Sequence, residues 1–430
     1  MKFTAVGDIL CQRRIAPDYD GFAEIKEFIE QADARFFNLE TTINREGECF
    51  GNQFSGGTYI RCNPEVAKDM LSFGFNLTTF NNNHAMDFGH EGLIKTLDNV
   101  NSFGIVHGGV GRNLGEASAP AYLETKNGRV ALVSVNTTFN AAMMAGEQSR
   151  RVMGRPGING ISVSSKVVLP KEDFEHIRRI GELTHINDPK NVIRAEGYQP
   201  YPPDDVCELG ELQFILGEKH GIRYVPNKND VERVKRSIRE AKMSADYVIL
   251  SVHTHQLVGS DKTTVPDYLR SLCHEFIDEG ADAIIGHGPH LLRGIEVYKN
   301  KPIFHSLGDF VIQLYDVPIA PEDFYKKYGL TSDSPTIELL EKRSKGFTLG
   351  LMEDRRMLET VIPAWETDAN GNMTSLTLKP VKASKGEGKH LEGLPRPARD
   401  FGFISELDAL SRPFGVTVEM GEDGLAHCKW

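Results

Sequence analysis

No Cys-x-x-Cys pair occurs in this 430-residue chain, and its six cysteines (Cys11, Cys49, Cys62, Cys207, Cys273, Cys428) are scattered. That spacing excludes a zinc knuckle or a disulfide framework and reads as reduced thiols. No apolar run approaches the roughly 18 residues of a membrane span. The first one is interrupted at Asp8, before it reaches the length of a signal-peptide core. These absences lead to the expectation of a cytoplasmic protein with no membrane partner. Lys and Arg gather nowhere densely enough to track a phosphate backbone, so no nucleic-acid partner is expected either. Internal repeats and low-complexity tracts are also missing. What remains is ordinary globular composition, 40% hydrophobic and 25% charged, with a formal charge of −11 from 49 basic and 60 acidic side chains. The acidic balance favours neutral or cationic substrates over polyanions, although a local field can override net charge. The length allows two or three domains, or one elaborated α/β domain.

Short β-branched and aromatic runs alternate with helical periods, the pattern of βαβ units around a buried sheet. It predicts strands at Lys2–Val6, Arg35–Leu39, Asn76–Phe80, Ile105–Val106, Val130–Val135, Tyr247–Val252, Ala283–Ile285 and Pro302–His305. Helices are predicted at Gly21–Gln31, Pro64–Phe73, Gly89–Phe103, Asp230–Met243 and Asp267–Glu279. Residues 140–229 break the rhythm, with one clear helix near Lys171–Glu182, and read as an inserted lid on a core spanning 1–312. Residues 313–430 read as an insert helix, Thr336–Lys345, followed by a small C-terminal appendage that completes the domain.

Polar, metal-competent residues recur at the ends of these strands. They are Gly7-Asp8, Asn38-Leu39-Glu40, Asn81-Asn82-Asn83-His84 with Asp87, Ser251-Val252-His253-Thr254-His255, and Gly286-His287-Gly288-Pro289-His290. Groups just beyond the carboxyl ends of parallel strands converge on one crevice. Taken singly, each has an ordinary explanation: Asp8 as a turn cap, Glu40 in a surface ion pair, the Asn run as a turn, His253 as a satisfied core histidine. Five such coincidences at five strand ends favour one cluster. Carboxylates, imidazoles and an amide oxygen suit Mn²⁺, Zn²⁺ or Fe, one ion or two, and the absence of thiolates argues against a structural zinc site.

In this order the motifs resemble the bacterial capsule-synthesis family called CapA or PGA_cap, itself similar to the calcineurin-like metallophosphoesterases. Gly108-Gly109-Val110-Gly111 and Lys301-Pro302-Ile303-Phe304-His305-Ser306-Leu307-Gly308-Asp309-Phe310 add to the match, which covers most of Met1–Ile312. The resemblance implies an α/β fold of layered β-sheets flanked by helices, with inserted lid segments and a small C-terminal appendage. It further implies that Glu40 bridges two metals, that Asn83, His253 and His287 complete one site, and that Asp8 and His290 serve the other. His84 takes the place of the histidine that protonates a leaving group, oriented by Asp87. His255 is a further ligand or a substrate contact.

The departures from that family matter as much. Asp8 is followed by Ile9-Leu10, where phosphoesterases carry x-His, so the first site lacks one ligand. The histidine pair His287/His290 is H-x-x-H, not H-x-H. His305 and Asp309 stand where the family commonly has Tyr and Asn, adding two ionisable groups. Three functions stay open. One is a metal-dependent hydrolase acting on a small-molecule or peptide substrate, through a phosphoester or a γ-glutamyl amide. The second is a metal-assisted peptide epimerase with Asp8 and His290 as its acid–base pair, as in a relative found beside genes for ribosomally made peptides. The third is a non-catalytic capsule or polymer assembly protein.

Overall fold

A computed structural model describes residues 1–430 and shows a mixed α/β chain in two compact units, Met1–Ile161 with Glu232–Trp430, and Ser162–Val231. The larger unit is built on two sheets. One has ten strands, of which Lys2–Leu10, Ala34–Leu39, Leu77–Thr79 and Val106–Gly108 run parallel, in that order, out to one edge. The other has six strands around parallel Gly128–Asn136, Tyr247–His253, Ala283–His287 and Lys301–Phe304.

Alternation along each strand decides what faces what. Phe3, Phe36 and Leu77 of the first sheet meet Leu132, Ile249, Ile285 and Phe304 of the second in a shared core. Trp365 fills that layer: its ring stacks on Phe3 and its indole N–H donates to the Tyr247 hydroxyl at 3.0 Å. Phe37 and Leu39, on the opposite face, pack with Ile25, Met70 and Leu97 of the helices Phe22–Glu30, Pro64–Met70 and Gly89–Phe103. The central strands of both sheets are buried on both faces, which explains their near-continuous apolar runs.

The first strand runs four residues past its predicted end, to Leu10, through an irregularity at Asp8. Beyond that bulge Ile9 and Leu10 pair with Val311 and Ile312 of Asp309–Ile312. A bulge re-aims the side chain it carries. Asp8 thus sits inside the strand with its carboxylate turned into the cluster, a placement dependent on a partner three hundred residues away. Toward the C-terminus, Glu359–Thr367 lies antiparallel to the first strand and pairs with Met373–Ala383, so residues after 358 extend the ten-stranded sheet.

The smaller unit holds a four-stranded sheet (Val206–Leu209, Leu212–Leu216, Val163–Leu169, Gly221–Pro226) and the helices Lys171–Thr184 and Asp188–Ala195. Its core is Leu169, Phe174, Cys207 and Phe214, beside the Arg194–Glu208 ion pair at 2.6 Å. The sequence revealed only the first helix, because these strands are short and half exposed. No helix of the chain is long and apolar enough to cross a membrane.

One buried ion cluster ties the second sheet to its flanking helix. Glu296 accepts from Arg270 at 2.7 Å and pairs with His274 at 2.8 Å and His305 at 3.0 Å. Burial disfavours its charge, but His305, Arg270 and His274 outweigh burial and hold its pKa down at about 2. A depressed folded pKa gives stability that is complete above the unfolded value near 4.5 and is lost as pH falls through about 2. Glu296→Gln is therefore expected to cost about 2 kcal/mol in urea unfolding at pH 7. The gap should close as pH falls from about 4.5 toward 2, and an undiminished gap at low pH would show that packing, not charge, sets the loss.

Candidate metal centre

The strand ends deliver their polar residues to one buried cluster. Asp8 accepts from the Asn38 side-chain amide at 2.6 Å and from the Gly288 N–H at 2.9 Å. Residue 288 has to be glycine: its φ is +115°, and a Cβ there would stand 2.6 Å from the Thr254 carbonyl oxygen. Glu40 leaves the strand Ala34–Leu39 with its N–H on the Ile9 carbonyl at 3.0 Å. Its side chain is fully buried, yet neither carboxylate oxygen accepts a hydrogen bond.

Asn83 is oriented by its own amide. Its Nδ2 donates to Gly56 O at 3.0 Å, which turns Oδ1 toward His253 Nε2 at 2.7 Å and His255 Nε2 at 3.2 Å. The two histidine Nε2 atoms lie 3.1 Å apart, and His253 Nε2 lies 3.6 Å from Glu40 Oε1. On the other side, His290 Nδ1 is 2.9 Å from Asp309 Oδ1 and 4.0 Å from Asp8 Oδ2. His290 holds a φ of +62°, the left-handed region a non-glycine residue occupies at a cost, and such strain gathers at functional sites. His287 stands between the halves: Nδ1 is 2.8 Å from His253 Nδ1 and 3.6 Å from Asp8 Oδ1, while Nε2 meets Ser251 Oγ at 2.7 Å. It faces Asp8 and His253, not Asn83.

The electrostatics of this cluster would suit a cation. Asp8, Glu40 and Asp309 are all fully buried. Burial, followed by Asp309, pushes Asp8 up to about 7. Burial, followed by Asp8 and Asp309, pushes Glu40 well above the usual carboxylate range. Burial also raises Asp309, though His290 opposes it. For His290 burial favours the neutral ring, but Asp309 and Asp8 outweigh it and its pKa rises. One imidazolium is too little charge for three carboxylates, and a buried unpaired charge is expensive. Burial and neighbouring imidazoles hold His253 and His255 well below the usual histidine value, and burial alone takes His287 down to about 3. Neutral imidazole is the form that ligates metals.

The donor atoms fit such an ion. Ligands about 2.0–2.2 Å from a tetrahedral centre lie roughly 3.3–3.6 Å from one another. Asn83 Oδ1, His253 Nε2 and His255 Nε2 lie 2.7 to 3.2 Å from one another, and His253 Nε2 lies 3.6 Å from Glu40 Oε1. Two ligand groups share Glu40: Glu40, His253 and His255, and Asp8, Glu40, His290 and Asp309. The orphaned oxygens of Glu40 and Asp309 Oδ2 lie among them.

His84 and Asp87 form a separate dyad at the edge of the cluster. His84 Nδ1 meets Asp87 Oδ2 at 2.7 Å, and Asp87 also accepts from the N–H groups of Gly56 and Ile60, each at 2.9 Å. With Nδ1 engaged, Nε2 is the free nitrogen of a ring that lines the cavity above the cluster. Gly56 permits this approach, since a Cβ there would come within 2.6 Å of both the His84 ring and the Asn83 amide.

Every residue singled out from the sequence (Asp8, Glu40, Asn83, His84, Asp87, His253, His255, His287, His290) thus lies in or beside this cluster. The cluster also holds Asp309, which the sequence marks only as an added ionisable group. The signal for it was present: Gly7-Asp8-Ile9-Leu10 and Gly308-Asp309-Phe310-Val311 share one pattern, and the parallel register pairs Asp8 with Asp309. His305, noted alongside it, lies instead with Glu296.

Residues 2–314 match the family described as "Bacterial capsule synthesis protein PGA_cap". The chain is similar to an uncharacterised protein, y4sH, of Sinorhizobium fredii at 31% identity, covering 96% of this chain and 90% of that one. It is more distantly similar to the capsule biosynthesis protein CapA of Bacillus anthracis, 22% identical over 72% of this chain and 59% of that one. The PGA biosynthesis protein CapA of Bacillus subtilis is 24% identical over 71% and 62%. Among solved structures, a hypothetical protein from Thermus thermophilus aligns over 89% of this chain and 99% of its own, with a TM-score of 0.39 and 12% identity.

Proposed function

This chain belongs to the bacterial capsule synthesis protein PGA_cap family, and from that premise we propose a metal-dependent hydrolase of the calcineurin-like metallophosphoesterase type, acting on a phosphoester or a γ-glutamyl amide. The observation that carries the reading is Glu40, a fully buried carboxylate with both oxygens unpartnered between two sets of ligand atoms. The capsule and PGA biosynthesis named for its relatives supports the γ-glutamyl alternative.

In this reading Glu40 is shared. Asn83, His253 and His255 complete one half, and Asp8, His290 and Asp309 the other. A divalent ion such as Mn²⁺, Zn²⁺ or Fe²⁺ supplies Lewis-acid polarisation of the scissile group and acidification of water. Asp309 stands in for the histidine missing after Asp8, so the first half is no longer short of a ligand. His287 braces His253 and Asp8 from beneath. His84 delivers a proton to the leaving group from Nε2, and Asp87 fixes its tautomer and orientation. The epimerase alternative needs Asp8 and His290 unligated and on opposite faces of a substrate carbon. Their convergence with Asp309 on one side of Glu40 favours hydrolysis.

Chelated protein resupplied with Mn²⁺, Zn²⁺ or Fe²⁺ is expected to regain hydrolysis of p-nitrophenyl phosphate or of γ-glutamyl-p-nitroanilide. Silence on both, with metal bound, would count against the reading. Asp309→Asn, which keeps the shape and removes the charge, is expected to hold one fewer ion per chain by elemental analysis while His253-side binding persists. An unchanged ion count would remove Asp309 from the ligand set.

A further inference from the structure

The cavity above the cluster, about 420 Å³, has His84, His255 and His290 on its floor. Although the chain has 60 acidic side chains, no Asp or Glu lines this cavity, whereas Lys262 and Arg343 do. Its remaining wall is mostly apolar, including Leu314, Leu340, Leu351 and Met352 from the segment after the second sheet. Neither cation is in an ion pair, and Arg343 donates only to Thr58 Oγ1. The contrast is with a second cavity, about 480 Å³, which contains no cluster residue. There, Lys382 is paired with Glu359 and Asp400, and Arg396 with Asp20 and Glu387.

We infer that this cavity is an anion-recognition subsite: Lys262 and Arg343 bind a carboxylate or phosphoryl group of the substrate, and the leucine and methionine wall takes an apolar portion beside it. The inference rests on the hydrolase reading for its placement at the reacting centre, and it narrows the substrate to molecules that are anionic next to an apolar group. The local field thereby reverses what net charge suggests.

The test is calorimetric titration of the protein as purified, and of Lys262→Gln and Arg343→Gln, with 4-phenylbutyrate, phenylphosphonate and neutral 4-phenylbutyramide. Metal content is measured on the same samples. Charge-assisted hydrogen bonds of about 1.5 kcal/mol predict roughly tenfold weaker binding of the anions to each variant, with the amide and the metal content unmoved. Tighter binding of the carboxylate names a carboxyl source, and tighter binding of the phosphonate a phosphoryl source; either supports the subsite. Anion binding that is undetectable in the parent, or equal in all three proteins, overturns it. A parent without metal that still shows the tenfold losses would sink the hydrolase reading and leave the subsite standing.

Discussion

Glu40→Gln is expected to weaken metal binding in both halves of the centre by more than about 100-fold, a larger loss than removing an outer-shell partner gives. The reason is its position: its carboxylate is common to the Asp8, His290 and Asp309 group and to the His253 and His255 group. The substitution also has an opposite effect on the metal-free protein. Burial and the neighbouring Asp8 and Asp309 make a charged Glu40 unfavourable there, so a neutral amide of the same shape costs nothing or is mildly stabilising. Metal at 100 times its dissociation constant stabilises a folded protein by about 2.7 kcal/mol. Thermal unfolding with and without Mn²⁺ or Zn²⁺ should therefore show a clear metal-dependent rise for the parent and none for the variant. A variant that is destabilised without metal, or still stabilised by it, would assign Glu40 a purely structural role.

His84→Gln is expected to leave metal content unchanged and to lower turnover by about 10²–10⁴-fold on substrates with a poor leaving group. The dyad geometry supports this: Asp87 holds Nδ1 at 2.7 Å and Nε2 is left facing the cavity. A general acid matters only where the leaving group needs a proton, so the loss should shrink for p-nitrophenyl substrates. A loss independent of leaving group would instead point to binding or positioning. Asp87 is a poorer target, because it also holds the N–H groups of Gly56 and Ile60 and its removal would loosen that loop.

Much of the fold was legible where the pattern is local. The helices Gly89–Phe103 and Asp267–Glu279 fall where their periodicity places them, and the strand cores fall within a few residues of expectation. Chain-distant features were less so. The division into two sheets depends on which parallel strands pair, and near-continuous apolar runs such as Tyr247–His253 read alike in either sheet. The extension of the first strand through Asp8 depends on Asp309–Ile312, a partner that no local signal announces. The candidate site was legible because metal ligands leave an unusual residue at each strand end. Asp309 was harder: it opens its strand, whereas Glu40 and His253 stand where theirs end, and its place beside Asp8 appears only with the register between the two strands. The cations of the cavity were invisible for the same reason, since Lys262 and Arg343 stand on a loop and at the end of a short helix, and neither sits in a motif.

The most direct test of the centre is the number of metal ions per chain, measured by elemental analysis on protein purified without chelator, beside Glu40→Ala and His287→Ala. Two ions in the parent, with both lost from Glu40→Ala and binding weakened in His287→Ala, is the predicted result. A parent that carries no divalent metal in any preparation, and takes up none when it is offered, would contradict the account.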